Sequence, residues 1–407
     1  MSTIVVKIDS ATLTTPEKIE QIAVRLIEQK NAGNKIVAVV PPIENLEEKL
    51  LQFAQVLNGN PSKREHHALS TLNTQVASSL LATSIVKKGV KAVSLNGWQA
   101  GIEVVESKGN VLIQDIKHEY IIEHLNNDEV VIVAGSQGID GKRNILSMGE
   151  GGPETTAVAI GAAINAEHIE ILTFHDGIYT ADPAIVKQAR KLKQITFDEM
   201  LELANLGSAY IHPRAVELAK IVELPLLVRS GTEKLEGTLI KGEVDMEKNL
   251  IVRGVAYEAD IIRLTVGYDS YEQSSLADIF TTLAEHKIDV DIIVQAVIDG
   301  VKPTISFSIA KEDFAEAIKV LERNKAALMF SFADFEVGLA KVSIVGAGMV
   351  SNPGVAARMF DRLRKEKILV KMVSTSEIKV SVVVPQEEMV LAANVLHNEF
   401  NLAEMTE

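Results

Sequence analysis

The sequence predicts a three-layer α/β/α sandwich over residues 1–242, followed by two small ferredoxin-like α+β domains over 261–336 and 337–407. Residues 243–260 are read as the linker and strand that join them. Three observations carry this expectation. Short apolar runs alternate with helical patterns up to residue 240, a polar stretch KGEVDMEKNL occupies 241–250, and the remainder repeats at an offset of 80 residues.

The runs at 4–8, 36–40, 90–95, 130–133, 169–173 and 224–228 are short and rich in Val and Ile. That composition and length suit buried strands. Between them, 16–31 follows Thr14-Thr15 and places Ile19, Ile22, Ala23, Leu26 and Ile27 on one helical face. Helices are also expected over 71–88, over the small apolar run 155–166, and over 197–206 and 213–220. Strands alternating with helices imply a sheet covered on both faces.

In the C-terminal part, Leu276-Ala277-Asp278-Ile279-Phe280 with Leu283 matches Ala356-Ala357-Arg358-Met359-Phe360 with Leu363, and Lys287-Ile288 matches Lys367-Ile368. Each copy reads strand, helix, strand, hairpin, helix, strand. Val355, Met359, Phe360 and Leu363 would line the buried face of one helix. A period this long is too great for a solenoid unit and suits paired βαββαβ domains.

Composition excludes several functions. Apolar residues make up 47% and charged residues 24%, enough for an ordinary globular core. Asp plus Glu total 55 against 41 Lys plus Arg, a net charge of −14, which opposes nonspecific binding to nucleic acid or anionic membrane. With aromatic residues at 4%, stacking platforms for single strands are not expected either. The absence of cysteine removes disulfides, thiolate catalysis and Cys-ligated zinc. No apolar run approaches the roughly 20 residues that span a bilayer, and the opening MSTIVVKIDSATL lacks the pattern of a signal peptide. A soluble, cytoplasmic protein is expected.

Residues 149–156 read Gly-Glu-Gly-Gly-Pro-Glu-Thr-Thr. A glycine turn leading into a helix presents backbone N–H groups to an anion. Glu150 and Glu154 place negative charge in that cradle.

TFHDGIYTADP at 173–183, FDEMLELANLG at 197–207, HPRAVELAK at 212–220, VSLNGWQAGI at 93–102 and VSIVGAGMVSNPGVAARMF at 342–360 together closely resemble an aspartokinase. The resemblance runs along nearly the whole chain, in order. It implies an amino-acid-kinase-like sandwich followed by two ACT domains. It also implies transfer of the γ-phosphoryl of ATP, with Mg²⁺, to the side-chain carboxylate of L-aspartate, in the biosynthesis of lysine, threonine and methionine. In such a reaction the protein chiefly positions and neutralises charge.

The family motifs depart from their usual form in five places. KFGGTSV stands here as Lys7-Ile8-Asp9-Ser10-Ala11-Thr12-Leu13, which keeps the lysine and loses both glycines. The SAMG turn is Pro41-Pro42-Ile43-Glu44, and a substrate-facing Gly-Glu pair is Leu72-Asn73. GRGGSD is Gly149-Glu150-Gly151-Gly152-Pro153-Glu154, and TDVDG is Thr173-Phe174-His175-Asp176-Gly177. Losing one transition-state donor typically costs about 10²–10³ in rate. A like-charge pair at ~4 Å adds roughly 4 kcal/mol of repulsion at an effective dielectric of 20. The residue reading therefore expects weak or absent kinase activity.

By resemblance the catalytic positions are Lys7, Glu150 and Glu154, and the nucleotide positions are Thr173, Asp176, Tyr179, Asp182, Gly151 and Gly152. Lys7 is equally a leftover strand-end lysine, and the segment from Tyr179 to Pro183 also reads as a turn kept for folding. Arg229-Ser230 has a weaker claim to the nucleotide side. His66-His67 is read as a solvated loop, and Trp98 as packing or backbone positioning near the substrate pocket. Gly346-Ala347-Gly348 lacks the third glycine of a dinucleotide fingerprint. No metal site is expected within the protein itself.

In the first repeat the family's effector positions would be Asp269, Ser274, Ser275, Ile293, Val294 and Gln295, with lysine or threonine as ligand. The family's usual asparagine after Val-Gln is Ala296. The resemblance implies a homodimer. Two functions stay open: a divergent aspartokinase, and a non-catalytic regulatory paralogue that senses an amino acid or binds an active aspartokinase.

Overall fold

A computed structural model describes residues 2–43, 46–107, 109–206, 210–242, 251–270, 275–296, 302–349 and 352–403. The described residues of Met1–Ile178, Lys191–Asn205 and Ala209–Met246 form one compact unit. Those of Tyr179–Arg190, Leu206–Ser208 and Glu247–Glu407 form the other.

In the first unit the strands are β1 (Thr3–Lys7), β2 (Lys35–Val40), β3 (Ala92–Leu95), β4 (Ile102–Ser107), β5 (Asn110–Ile116), β6 (Val130–Ala134), β7 (Gln137–Ile139), β8 (Ile145–Ser147), β9 (His168–Thr173), β10 (Gln194–Thr196), β11 (Leu226–Ser230) and β12 (Thr238–Lys241). The helices are α1 (Pro16–Asn31), α2 (Leu46–Leu57), α3 (Lys63–Lys87), α4 (Glu119–Asn126), α5 (Gly152–Ala163), α6 (Phe197–Asn205) and α7 (Pro213–Ile221). The main sheet runs β10-β12-β11-β9-β1-β2-β6-β3, with its pairs parallel except β11 with β12. A smaller sheet runs β5-β4-β7-β8.

Strand alternation divides the sheet faces. Ile4, Val6, Ile36, Ala38, Val130 and Ile132 pack against Ile22 and Leu26 of α1 and Leu81 and Ile85 of α3. The intervening residues point to the opposite face, where α5 lies against β1, β2 and β9. This is the three-layer α/β/α architecture that the alternating pattern predicts. The α1 helix has Pro16 in its first turn and Thr15 as its cap, the hydroxyl accepting from Lys18 N–H at 3.4 Å.

The α3 helix starts earlier than expected. Ser62 caps it, accepting from Glu65 N–H at 3.3 Å, and Ser62 to Glu65 has the spacing of a capping box. His66 and His67 are therefore helical, which corrects the expectation of a solvated loop. The apolar periodicity begins only near Thr71, so the first two turns lack the usual sequence signal.

In the second unit the strands are β13 (Gly254–Gly267), β14 (Ile293–Ala296), β15 (Thr304–Ala310), β16 (Phe332–Val345), β17 (Met372–Thr375) and β18 (Lys379–Pro385). The helices are α8 (Leu276–Glu285), α9 (Phe314–Leu328), α10 (Val355–Lys365) and α11 (Met389–Glu399). One sheet runs β14-β15-β13-β16-β18-β17. The helices of the two repeats cover separate cores. Leu264, Ile279, Leu283, Phe307 and Leu321 lie in one, and Val342, Met359, Leu363, Val382 and Leu396 in the other. Val355, Met359 and Leu363 are buried in α10 as its periodicity predicts.

The second repeat is not a contiguous copy. No strand follows α11 among the described residues. Its closing strand is the front of β13, where Gly254–Glu258 pairs with Val345–Lys341, while Ile261–Gly267 pairs with the first half of β16. A bulge between Glu258 and Ile261, with Asp260 at φ 58°, separates the two registers. Lys341 lies beside the bulge, buried, with Glu258 at 2.6 Å and Asp291 at 2.5 Å.

Candidate active site at the carboxyl ends of the parallel strands

The chain leaves β1 for β2 on one side, while β9 pairs on its other side and continues the sheet towards β11. The crevice beyond the carboxyl ends of β1, β2 and β9 is thus a topological switch point, where open α/β sheets take ligands. Lys7 ends β1 and Thr173 ends β9. The residues from Gly149 onward lead into α5 above this crevice.

Lys7 is buried, and its Nζ lies 2.6 Å from Glu154 Oε1 in the first turn of α5. Burial pushes the Glu154 carboxyl up. The Lys7 ammonium, the residue's own N–H and nearby His212 together outweigh that and hold it below the usual carboxylate range. The cradle's cation is therefore neutralised from within.

The cradle's amides are also largely spent. Gly152 N–H donates to Gly149 O at 3.1 Å, Pro153 has no N–H, and Glu154 N–H bonds its own carboxylate. Ser136 fastens the turn by donating from Oγ to Gly149 O at 3.0 Å. Gly151 is left-handed at φ 67°, and a Cβ there would lie 2.3 Å from the His212 ring. Gly152 likewise faces Ser136 Oγ, 2.1 Å from where its Cβ would be. These two glycines are needed for close packing. A cleft of about 340 Å³ opens here, lined by Pro42, Thr74, Gly135, Glu150, Gly151 and Pro153 among others.

Two other departures form one structural device. Asn73 is fully buried, accepts from Ile43 N–H at 2.8 Å and donates to Ile43 O at 2.8 Å. Asn73 thus holds the turn after the diproline pair. Glu44 lies outside the described residues. Asp9 Oδ1 accepts from Ala11 N–H at 3.2 Å and caps the 3₁₀ turn Ser10–Leu13.

At the positions that the resemblance assigns to a nucleotide, Thr173 Oγ1 donates to His175 O at 2.8 Å and Asp176 accepts from Lys191 Nζ at 3.0 Å. Phe174 is 84% exposed, and His175 meets the edges of both Phe174 and Tyr210, at 5.5 and 5.1 Å between ring centroids. Arg229 is held by buried Glu170, with Nη2 2.6 Å from both carboxylate oxygens. The Arg229 guanidinium, a weak nucleotide candidate by sequence, is thus engaged by a carboxylate of the neighbouring strand.

Tyr179 and Asp182 belong to the second unit. There Asp182 accepts from Tyr257 Oη at 2.7 Å and from Ala184 N–H at 2.8 Å. Burial, and then the Asp182 carboxylate, push the Tyr257 phenol up to about 12. Thr180 is fully buried, its Oγ1 2.9 Å from His397 Nε2 and accepting from Arg190 N–H at 3.0 Å. Burial takes His397 down to about 4, so the ring is neutral.

Of the effector positions, Asp269 is an exposed partner of Lys302 at 2.6 Å. Ser275 caps α8 by accepting from Asp278 N–H at 3.1 Å. Ile293, Val294 and Gln295 lie on the edge strand β14, the first two 48% and 40% exposed. Ser274 lies outside the described residues.

Sequence reasoning missed a second, larger cleft of about 610 Å³ beside the cradle, lined by Glu150, His66, His67, His212 and Arg214 among others. The available signal was His-Pro at a helix start. His212 caps α7, its Nδ1 accepting from Arg214 N–H at 3.2 Å. Among the described residues, no group of three or more His, Asp or Glu side chains is placed to hold a metal ion. Of the carboxylates that the resemblance places near a nucleotide, Glu154 pairs with Lys7 and Asp176 with Lys191.

Comparison with known proteins agrees with this architecture. Residues 2–230 match the amino acid kinase family and residues 342–400 match an ACT domain. The chain is similar to an aspartokinase of Bacillus sp. (strain MGA3), 48% identical over 403 residues that cover 99% of this chain and 98% of that one. It is similar to aspartokinase 2 of Bacillus subtilis (strain 168), 47% identical with the same coverage. The fold is that of E. coli aspartokinase III solved with aspartate and ADP, at a TM-score of 0.80, 19% identity, and 98% and 99% of the two chains covered. The chain belongs to the amino acid kinase family and, within it, to the aspartokinases.

Proposed function

We propose that this chain is an aspartokinase-family protein in which transfer of phosphoryl from ATP to L-aspartate is weak or absent. The relatives' activity supports phosphorylation of aspartate as the ancestral reaction, with ATP and Mg²⁺. The observation that carries the loss is the Lys7–Glu154 ion pair at 2.6 Å within a turn whose amides at 152–154 are spent or missing. Phosphoryl transfer needs positive charge and free donors aimed at the developing anion. Glu150 supplies the opposite charge where the family has arginine.

A specific observation favours the regulatory reading for what remains. Residues Tyr179–Arg190, which carry the family's nucleotide segment, pack as part of the ACT unit. Val255 N–H donates to Thr180 O at 2.7 Å, and Asn394 Nδ2 donates to Ile185 O at 3.2 Å. An amino acid that shifts β13 or α11 would move this segment directly. Solved relatives include E. coli aspartokinase III with lysine and aspartate, so lysine is the first effector to try and threonine the second. Homodimers, or assembly with an active aspartokinase, are the associations this reading entails.

The test is an assay for aspartyl phosphate trapped as hydroxamate, run beside aspartokinase 2 of Bacillus subtilis. Turnover at an ordinary enzyme rate, about 10 s⁻¹, would overturn the reading. Calorimetry with lysine and threonine tests the regulatory part, for which no heat with either counts against sensing.

A further inference from the structure

The long helix α3 carries an apolar ridge that faces water. Leu72, Val76 and Leu80 recur at every fourth residue and are 42%, 42% and 45% exposed, while Ala77, Leu81 and Ile85 are buried on the other side. No charged residue occurs from Ala68 to Val86, although the chain as a whole has a net charge of −14. A solvated helix face ordinarily carries charge, so a half-exposed helix without it is built to be covered.

The row beside this ridge is small and already satisfied. Ser79 Oγ donates to Gln75 O at 3.0 Å, and Thr83 Oγ1 donates to Ser79 O at 2.7 Å. Both hydroxyls are bonded within the helix, so burying them strands no polar group. A bulky ridge at i, i+4 spacing beside a small groove at the same spacing is complementary to itself, because ridges of one helix pack into grooves of another. The α2 helix lies against α3 and adds Phe53, Val56 and Leu57, which are 68%, 85% and 87% exposed.

We infer that α3, flanked by α2, is a surface on which a second copy of this chain docks, the two α3 helices crossing antiparallel at Val76 about a two-fold axis. Leu72 then meets the partner's Leu80. An identical copy suits this face because it is uncharged at the same place, whereas elsewhere the excess of acid sets one copy against the next. Antiparallel crossing also opposes the two helix dipoles and keeps Lys87 and Lys88 from their own copies. The uncharged stretch is about 28 Å long and, at about 10 Å wide, offers roughly 300 Å². With α2 adding about half as much, the pair buries roughly 900 Å² in total, the low end of specific interfaces and a weak, concentration-dependent association. This pairing belongs to the first unit and holds whether or not phosphoryl transfer survives there.

The chain has no cysteine, so a single introduced one reports its own surroundings. Full-length Val76→Cys, oxidised with copper phenanthroline, should form a disulfide-linked dimer, because the crossing brings residue 76 of both copies within the ~4 Å between Cβ atoms that a disulfide needs. Thr83→Cys should link about tenfold more slowly or not at all, since its copies, seven residues from the centre, stand about 20 Å apart. No linkage at residue 76, or equal rates at the two positions, overturns the inference. Sedimentation of the unaltered protein and of Val76→Lys over a concentration series gives a second reading, which decides if Val76→Cys fails to melt cooperatively. Val76→Lys, at an exposed position, should weaken association about tenfold or more. Equal association of the two proteins overturns the inference. Pairing through the second unit alone, or a face kept for a different protein, would give that result and no linkage at residue 76.

Discussion

Lys7 Nζ lies 2.6 Å from Glu154 Oε1, and each side chain is less than one-fifth exposed. The pair joins the end of β1 to the first turn of α5, where a kinase would hold phosphate. Both charges are largely out of water, so removing one partner strands the other.

Glu154→Gln should therefore destabilise the protein, by roughly 3–5 kcal/mol, because it strands the Lys7 ammonium. Lys7→Met combined with Glu154→Gln should recover most of that loss. The sign of the pH effect follows from the carboxyl's lowered folded value. Its stabilisation is complete above the ordinary 4.5 and disappears as pH falls through the folded value. Urea denaturation of the variants across pH 3–6 measures both.

Asn73→Ala removes both hydrogen bonds to Ile43 and leaves that backbone unsatisfied. The expected cost is roughly 2–4 kcal/mol. Asn73→Glu should also destabilise and should not raise turnover, because a longer charged side chain would enter a fully buried position. Thermal melting and the hydroxamate assay on both variants check this.

His397 should give the second unit an acid-labile lock. Its value falls from the ordinary 6.5 to about 4 on folding. The unfolded chain thus binds the extra proton first, so stability is full above 6.5 and declines as pH falls towards 4. The total is roughly 3 kcal/mol. His397→Phe should flatten that slope while losing the Thr180 hydrogen bond. Stability curves of the two proteins between pH 4 and 7 report the difference.

Gly151→Ala should cost about 1–3 kcal/mol from the left-handed backbone alone. It should also displace His212, whose ring occupies the space of the new methyl group. The imidazole proton resonances of His212 would shift relative to those of the unaltered protein.

These residues also mark where the sequence was legible. The α1 helix and the buried face of α10 were readable because Ile19, Ile22 and Leu26, and Val355, Met359 and Leu363, recur at helical spacing. The five departures in the site were visible as changed residue types. Their consequences were not, because Asn73 meets Ile43 thirty residues away and Arg229 meets Glu170 on a neighbouring strand. Nor does local patterning announce that the front of β13 closes the second repeat, since that pairing joins residues as distant as Gly254 and Val345. Arg214 and His212 sat within a recognised family stretch, but only the fold brings them to one cleft with Glu150.

The most direct test is a single-turnover measurement with enzyme in excess over γ-labelled ATP at saturating Mg²⁺ and L-aspartate. It reads phosphoryl transfer without product release. A neutralised cradle should give a first-turnover rate at least about 10³-fold below that of aspartokinase 2 of Bacillus subtilis under the same conditions. Label reaching aspartate at the rate of that relative would contradict it.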